Sequence, residues 1–298
     1  MSDLLQLLVA GISLGSIYAL VCLGFVVIYR ATGVINFAQG GLLVLGAFLT
    51  HQFAARAGLP FVLAVLLAMF VVALVGVAVE RVMLRRMVGQ PVFAVIMITL
   101  GLLYVLEQVV SAIWGYDLVL LGDPWGVRTI ALGPVTIEIA DLWTIGMAGI
   151  VLVGFFLFFR YSRLGVAMRA TASDQEAAIA NGISARTIFA LAWALSGAVA
   201  ALAGTLLATG PRGVEITLSA VALRAFPAMI LGGLDSPGGA VLGGLTIGVI
   251  EVVSAAYLTP NAPWLGENVH VIVPYLVMIA VLMVRPYGLF GTREVIRA

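Results

Sequence analysis

The spacing of its charges constrains this chain most. Residues 4–29, 31–55, 57–79, 87–106, 142–159 and 187–211 contain no Asp, Glu, Lys or Arg. Each run is close to the ~20 apolar residues a helix needs to cross ~30 Å of hydrocarbon. A soluble domain needs a charged surface, and soluble chains average about a quarter charged residues. Here 10% are charged, 63% are hydrophobic and the mean hydropathy is +1.18. The expected fold is an all-α polytopic membrane protein. No basic residue precedes the run from Leu4 to Tyr29, and it is too long for the apolar core of a signal peptide, so it reads as an uncleaved first span.

After Arg212 the pattern is less regular. Asp235 and Glu251 interrupt it, and the Gly/Pro-rich segment 232–239 divides it into Ser219–Leu231 and Ala240–Leu258, followed by Val269–Val284. The first piece is short for a crossing and reads as re-entrant, which is tolerated only where protein or a wet cavity covers the backbone. Eight or nine transmembrane or re-entrant segments are expected, in a single domain covering residues 1–298.

The basic residues exclude much chemistry. All fifteen are arginine, so there is no lysine for a Walker A phosphate loop or a Schiff base. One cysteine (Cys22) excludes an intrachain disulfide, and two histidines (His51, His270) leave no Cys/His metal cluster. A net charge of +1 indicates no nucleic-acid partner, and no cofactor is expected. Arginine placement also sets orientation. Arg81, Arg85 and Arg86 mark one loop, Arg160, Arg163, Arg169 and Arg186 another, and Arg285, Arg293 and Arg297 the tail. These are expected in the cytoplasm. The acidic 116–141 loop and segments near 211–218 and 259–268 then face outside, as does the N-terminus. Small residues at spacing four (Gly11/Gly15/Ala19, Ala200/Gly204, Gly239/Gly243, Gly244/Gly248) suit close helix packing in lipid.

Three motifs invite a functional reading. In Gly33-Val34-Ile35-Asn36-Phe37-Ala38-Gln39-Gly40-Gly41, Asn36 and Gln39 would share one face of a helix and line a polar path. Asn36 could equally cap the next helix. Leu231-Gly232-Gly233-Leu234-Asp235-Ser236-Pro237-Gly238-Gly239 breaks a helix, either as a site at a helix break or as a tight cytoplasmic turn, the latter slightly favoured. Between Arg160 and Arg186, Asp174 and Glu176 start a short helix that Gly182 ends. Its Ala177, Ile179, Ala180 and Ile183 suit a partner's groove better than a membrane surface, because interfacial helices carry larger apolar and basic faces. Intramembrane Glu107, Arg224 and Glu251 are further suspects, with Arg224 able to pair with Glu251 or Glu215.

In these motifs, and in the tail Arg285-Pro286-Tyr287-Gly288-Leu289-Phe290-Gly291, the sequence resembles the LivH-type permeases of high-affinity branched-chain amino-acid ABC importers. The resemblance covers essentially the whole chain. It implies a second, LivM-type permease, two cytoplasmic ATPase subunits, a periplasmic substrate-binding protein and a place in the bacterial inner membrane. Glu176-Ala177-Ala178, with Gly182 four positions on, resembles the start of the family's coupling loop, although the usual Ile-x-Leu-Pro continuation is absent. On this basis Arg169, Asp174, Glu176, Ala177 and Gly182 are expected to couple to the ATPases. Asn36, Gln39, Gly40, Thr99 and Glu107 are expected along the substrate pathway, and Gly232, Gly233, Asp235, Pro237, Gly238 and Gly239 at the helix break. Branched-chain or related hydrophobic amino acids are the expected cargo, with urea, amides or aromatic acids as alternatives within the family. A proton-coupled secondary transporter working through Glu107 and Glu251 is the rival from another class.

Overall fold

The computed structural model describes residues 2–87, 90–132, 135–262, 264 and 268–291. Arg293 and Arg297 of the expected cytoplasmic tail lie outside the described residues. The first helix, α1 (Ser2–Thr32), is apolar on every side, and such a helix is buried all round. In its most apolar window 89% of the residues are buried, against 17% for α4 (Val92–Trp114). α1 is therefore the axis of the bundle. Against it pack α5 (Ile139–Tyr161), α8 (Ala185–Leu207) and α11 (Pro237–Asn261), with α3 (Phe61–Val82) on the far side of α8. The main neighbour of α1 is α11, whose buried Ala240, Gly244, Ile247, Gly248 and Glu251 form one helical stripe. A Cβ on Gly15 would lie 2.7 Å from the Leu245 Cα, and one on Gly11 2.8 Å from the Val249 Cα. The small residues at spacing four thus let two backbones approach where hydrophobic burial no longer drives association.

Two crossings are broken. α2 (Gln39–His51) has 13 residues, about 20 Å at 1.5 Å per residue, too short to span the hydrocarbon. The chain leaves α1 through Gly33, whose φ of +72° a residue with a Cβ adopts only with strain. It then climbs back beside α1 as irregular backbone. Side chains satisfy that backbone: the Phe37 N–H donates to Thr99 Oγ1 (3.2 Å) and the Ala38 N–H to Asn36 Oδ1 (3.0 Å). The second broken crossing contains a 3₁₀ turn (Ile216–Ala220), α9 (Val221–Arg224) and α10 (Phe226–Gly232). The two breaks meet: a Cβ on Gly40 would touch the Ser219 carbonyl oxygen at 2.5 Å, and the Phe37 and Phe226 rings stack at 5.7 Å.

With α12 (Val269–Val284), the described residues make nine passes, two of them broken, in agreement with the eight or nine expected. A hairpin of β1 (Thr129–Leu132) and β2 (Val135–Glu138), in register Thr129↔Glu138, lies in the loop before α5 and is the one element outside the all-α expectation. At that end the Val119 and Val214 main chains pair, and His51 Nδ1 meets the Leu120 carbonyl at 2.6 Å. The opposite end carries Arg30, Arg81, Arg85, Arg86, Arg160, Arg163, Arg169, Arg186 and Arg285, together with α6 (Arg163–Ser173) and α7 (Gln175–Ala180). An odd number of passes places residue 2 and residue 291 at opposite ends.

Candidate functional site: a cavity beside a broken helix

The break before α2 leaves a cavity of about 230 Å³ that opens toward the arginine-rich end. Its apolar wall includes Ile28, Val34, Leu84, Val95, Phe189 and Trp193, and its polar groups are Thr32, Asn36, Glu80, Gln90, Thr99 and Gln175. Asn36 is 1% exposed; its side-chain oxygen is taken by the Ala38 N–H, while Nδ2 has no partner. A buried donor left unpaired costs about 1–3 kcal/mol, so this amide awaits an acceptor. Thr99 donates its hydroxyl to the Ile96 carbonyl (2.9 Å) and so presents an occupied oxygen to the cavity. Glu80 is buried at the end of α3, and Arg85 grips it through Nε (3.2 Å) and Nη2 (2.9 Å). Each carboxylate oxygen keeps a lone pair for a second donor.

The expected pathway residues divide. Asn36 and Thr99 line the cavity. Gln39 does not share their face, because residues 33–38 are not helical and the three-residue spacing no longer fixes a common direction. Instead Gln39 is fully buried between α1 and α8. Its Oε1 accepts from Ser196 Oγ (2.7 Å), and Nε2 lies against Gly24, where any side chain would collide with it. Gln39 Nε2 is also without a partner. Gly40 is the contact with the second break rather than a lining residue. Glu107 sits half-buried on α4 outside the cavity, beside exposed Tyr104 and Gln108.

The short helix expected between Asp174 and Gly182 is α7, and a separate helix, α6, precedes it. Ser162 Oγ accepts from the Gly165 N–H (2.8 Å) to start α6, and Asp174 Oδ1 accepts from the Ala177 N–H (2.9 Å) to start α7. Gly182, at φ +84°, closes the turn after α7. Glu176, Ala177, Ile179 and Ala180 are exposed, whereas Ile183 packs on the core and is no part of the open face. Arg169 donates to the Arg160 carbonyl (3.3 Å), and both Arg169 and Arg30 stand over the Phe159 ring, at 5.9 and 5.7 Å.

Gly232 to Gly239 form a tight turn, the alternative slightly favoured from sequence. Ser236 Oγ caps α11 by accepting from the Gly239 N–H (3.0 Å), with Pro237 in its first turn. Asp235 lies within electrostatic reach of Arg30. The tail docks here: the Leu289 N–H donates to the Leu231 carbonyl (2.8 Å) and the Phe290 N–H to the Gly232 carbonyl (3.2 Å). Two motifs far apart in sequence thus close one helix end. Sequence reasoning missed Glu80, Gln175 and Trp193 in the cavity, and Arg85 as the partner of Glu80. Glu80 had looked like the boundary of a span.

Comparison with known proteins decides the family. Residues 7–282 match the sequence profile described as "Branched-chain amino acid transport system / permease component". The chain belongs to this permease family. LivH of Escherichia coli (strain K12), a high-affinity branched-chain amino acid transport system permease protein, is 30% identical over 98% of this chain and 96% of its own length. BraD of Pseudomonas aeruginosa, carrying the same description, is 31% identical over 98% and 97%. PsaBC from Streptococcus pneumoniae in complex with Fab matches at a TM-score of 0.48 with 15% identity, over 93% of this chain and 89% of that one. As a member of this family the chain is a multi-pass membrane permease component, and it is not itself an enzyme.

Proposed function

We propose that the chain is the permease subunit of an ATP-driven importer of branched-chain or related hydrophobic amino acids and forms half of the translocation pathway. The observation that carries the substrate reading is the unpartnered Asn36 amide at a helix break, set in a cavity that also has an aliphatic and aromatic wall. A carboxylate supplies the acceptor this amide lacks, and the aliphatic wall takes the side chain. Thr99 shapes the same wall. Gln39 holds α2 to α8 and sets the depth at which Asn36 stands.

The second, LivM-type permease packs on the outer face of α4. Tyr104, Glu107 and Gln108 are polar groups on a face that would otherwise meet lipid, and an ionisable residue at membrane depth faces a bundle interior or a wet path. The arginine-rich end is cytoplasmic and the hairpin end periplasmic, in the bacterial inner membrane. Two ATPase subunits grip the exposed face of α7 around Glu176 and Ala177, with Asp174 and Gly182 as its caps and Arg169 tying α6 to the end of α5. A substrate-binding protein delivers cargo at the hairpin end. The engagement of Glu251 by Tyr18 inside the α1–α11 packing weighs against a proton-coupled route through that carboxylate.

Reconstitution of the full complex with labelled L-leucine tests this reading. ATP-dependent uptake that falls severalfold in Asn36→Ala and in Gln39→Ala supports it. Wild-type rates in both variants would remove Asn36 from the pathway and Gln39 from positioning it, and absence of uptake by the wild type would remove the substrate assignment.

A further inference from the structure

The cavity joins groups that the transport reading leaves unexplained. Glu80 lines it while Arg85 holds the carboxylate from the loop after α3. Gln175, the first residue of α7, lines it, although Glu176, Ala177, Ile179 and Ala180 of the same helix are exposed and Ala178 packs inward. The polar groups are complementary in kind. Asn36 Nδ2 is a buried donor without an acceptor, and Glu80 is a 2%-exposed carboxylate with lone pairs to spare. The rest of the wall is mainly aliphatic and aromatic. A donor, an anion and an apolar wall are what a zwitterionic amino acid with an aliphatic side chain requires. The cavity, at about 230 Å³, falls below the ~300–1,000 Å³ of drug-sized sites and suits a ligand of that small size. It also lies wholly within one chain, not on the face proposed for the second permease, and it opens beside α7.

We infer that this cavity is a feedback site at which amino acid accumulated on the ATPase side binds and holds the coupling helix. The carboxylate accepts from Asn36 Nδ2, the ammonium donates to Glu80 beside Arg85, and the side chain lies against Val95, Phe189 and Trp193. The bound ligand touches both the bundle and Gln175, so it favours the arrangement of α7 seen here over any arrangement that moves α7 away. A ligand that binds one of two states better shifts the equilibrium toward it and slows a cycle that must visit both. This inference rests on the amino-acid permease reading given above.

The test uses the complete complex in liposomes with the ATPase subunits facing out, the binding protein and saturating L-leucine inside, and ATP outside. External L-leucine is expected to lower ATP hydrolysis by about fivefold or more at saturation. L-leucinamide, which lacks the carboxylate, and 4-methylpentanoate, which lacks the ammonium, are expected to need about tenfold higher concentration each. Val95→Phe, which fills the cavity with a ring, should raise the L-leucine concentration needed for inhibition. Hydrolysis unaffected by external L-leucine overturns the proposal, as does inhibition by either analogue at the same concentration as L-leucine. The analogue series requires no variant, so it decides the matter even if Val95→Phe does not assemble. Failure of the underlying substrate reading is separable, because it appears as absent ATP-driven leucine uptake by the same wild-type complex.

Discussion

Tyr18 donates its hydroxyl to Glu251 Oε2 at 2.6 Å, joining α1 to α11 across 233 positions of sequence. Both residues are buried, and the acceptor is a carboxylate. Hydrogen bonds to charged groups contribute about 1.5–3 kcal/mol, above the ~0.6 kcal/mol average of interhelical bonds in membranes. Tyr18→Phe should therefore lower stability by roughly 1–3 kcal/mol, because it strands a buried acceptor, whereas Tyr18→Phe combined with Glu251→Leu should recover most of the loss. Thermal unfolding in one detergent compares them, and equal loss in the single and double variants would contradict the assigned bond. The charge pattern singled out Glu251 but offered Arg224 as its partner, with Glu215 as the alternative acceptor for Arg224. In the structure Arg224 is exposed, Glu215 is engaged by Thr217, and the partner is a tyrosine that looked like part of an apolar span. Linear sequence displays an intramembrane carboxylate and says nothing about which distant hydroxyl reaches it. The same limit hid Glu80, whose place in the cavity depends on where residues 33–38 turn back.

At the scale of elements, the sequence was most informative where local chemistry decides. The caps of α6, α7 and α11 come from Ser162, Asp174 and Ser236, all polar residues next to helix-forming stretches. The small-residue stripes were also legible, because in lipid close packing needs residues without bulk. Less legible was α2. An uncharged run from residue 31 to 55 reads as one span, yet the chain spends its first part returning as irregular backbone, which Thr99 and Asn36 make tolerable from the side. Glycines therefore differ in consequence. Gly15 faces the α11 backbone with no room for a Cβ, while Gly149 on α5 has nothing within 4 Å of that position. Gly15→Val should force α1 and α11 apart and cost about 3 kcal/mol or more, whereas Gly149→Val should change the unfolding temperature little beyond helix propensity. Comparable losses in the two variants would mean that the α1–α11 contact is not the tight one.

For the whole molecule, nine passes place the chain ends on opposite sides, and nine described arginines gather at one of them. Arginine-rich ends stay in the cytoplasm, so the function proposed above puts α7 toward the ATPases and the hairpin toward the periplasm. The coupling half of this claim predicts that Glu176→Lys preserves capture of the loaded binding protein and abolishes its stimulation of ATP hydrolysis. An unchanged stimulation would move the coupling contact elsewhere. The sidedness itself has a direct measurement, because Cys22 is fully buried and its thiol is committed to the Ala225 carbonyl at 3.2 Å. The native chain should therefore stay dark to thiol reagents, and a single introduced cysteine reports its own surroundings. Val127, 78% exposed before the hairpin, and Tyr161, 69% exposed at the end of α5, sample the two ends. In spheroplasts, Val127→Cys should react with a membrane-impermeant maleimide directly, and Tyr161→Cys only after permeabilisation. The reverse pattern would invert the molecule in the membrane, putting α7 where no ATPase could reach it and the cavity mouth where imported substrate could not accumulate.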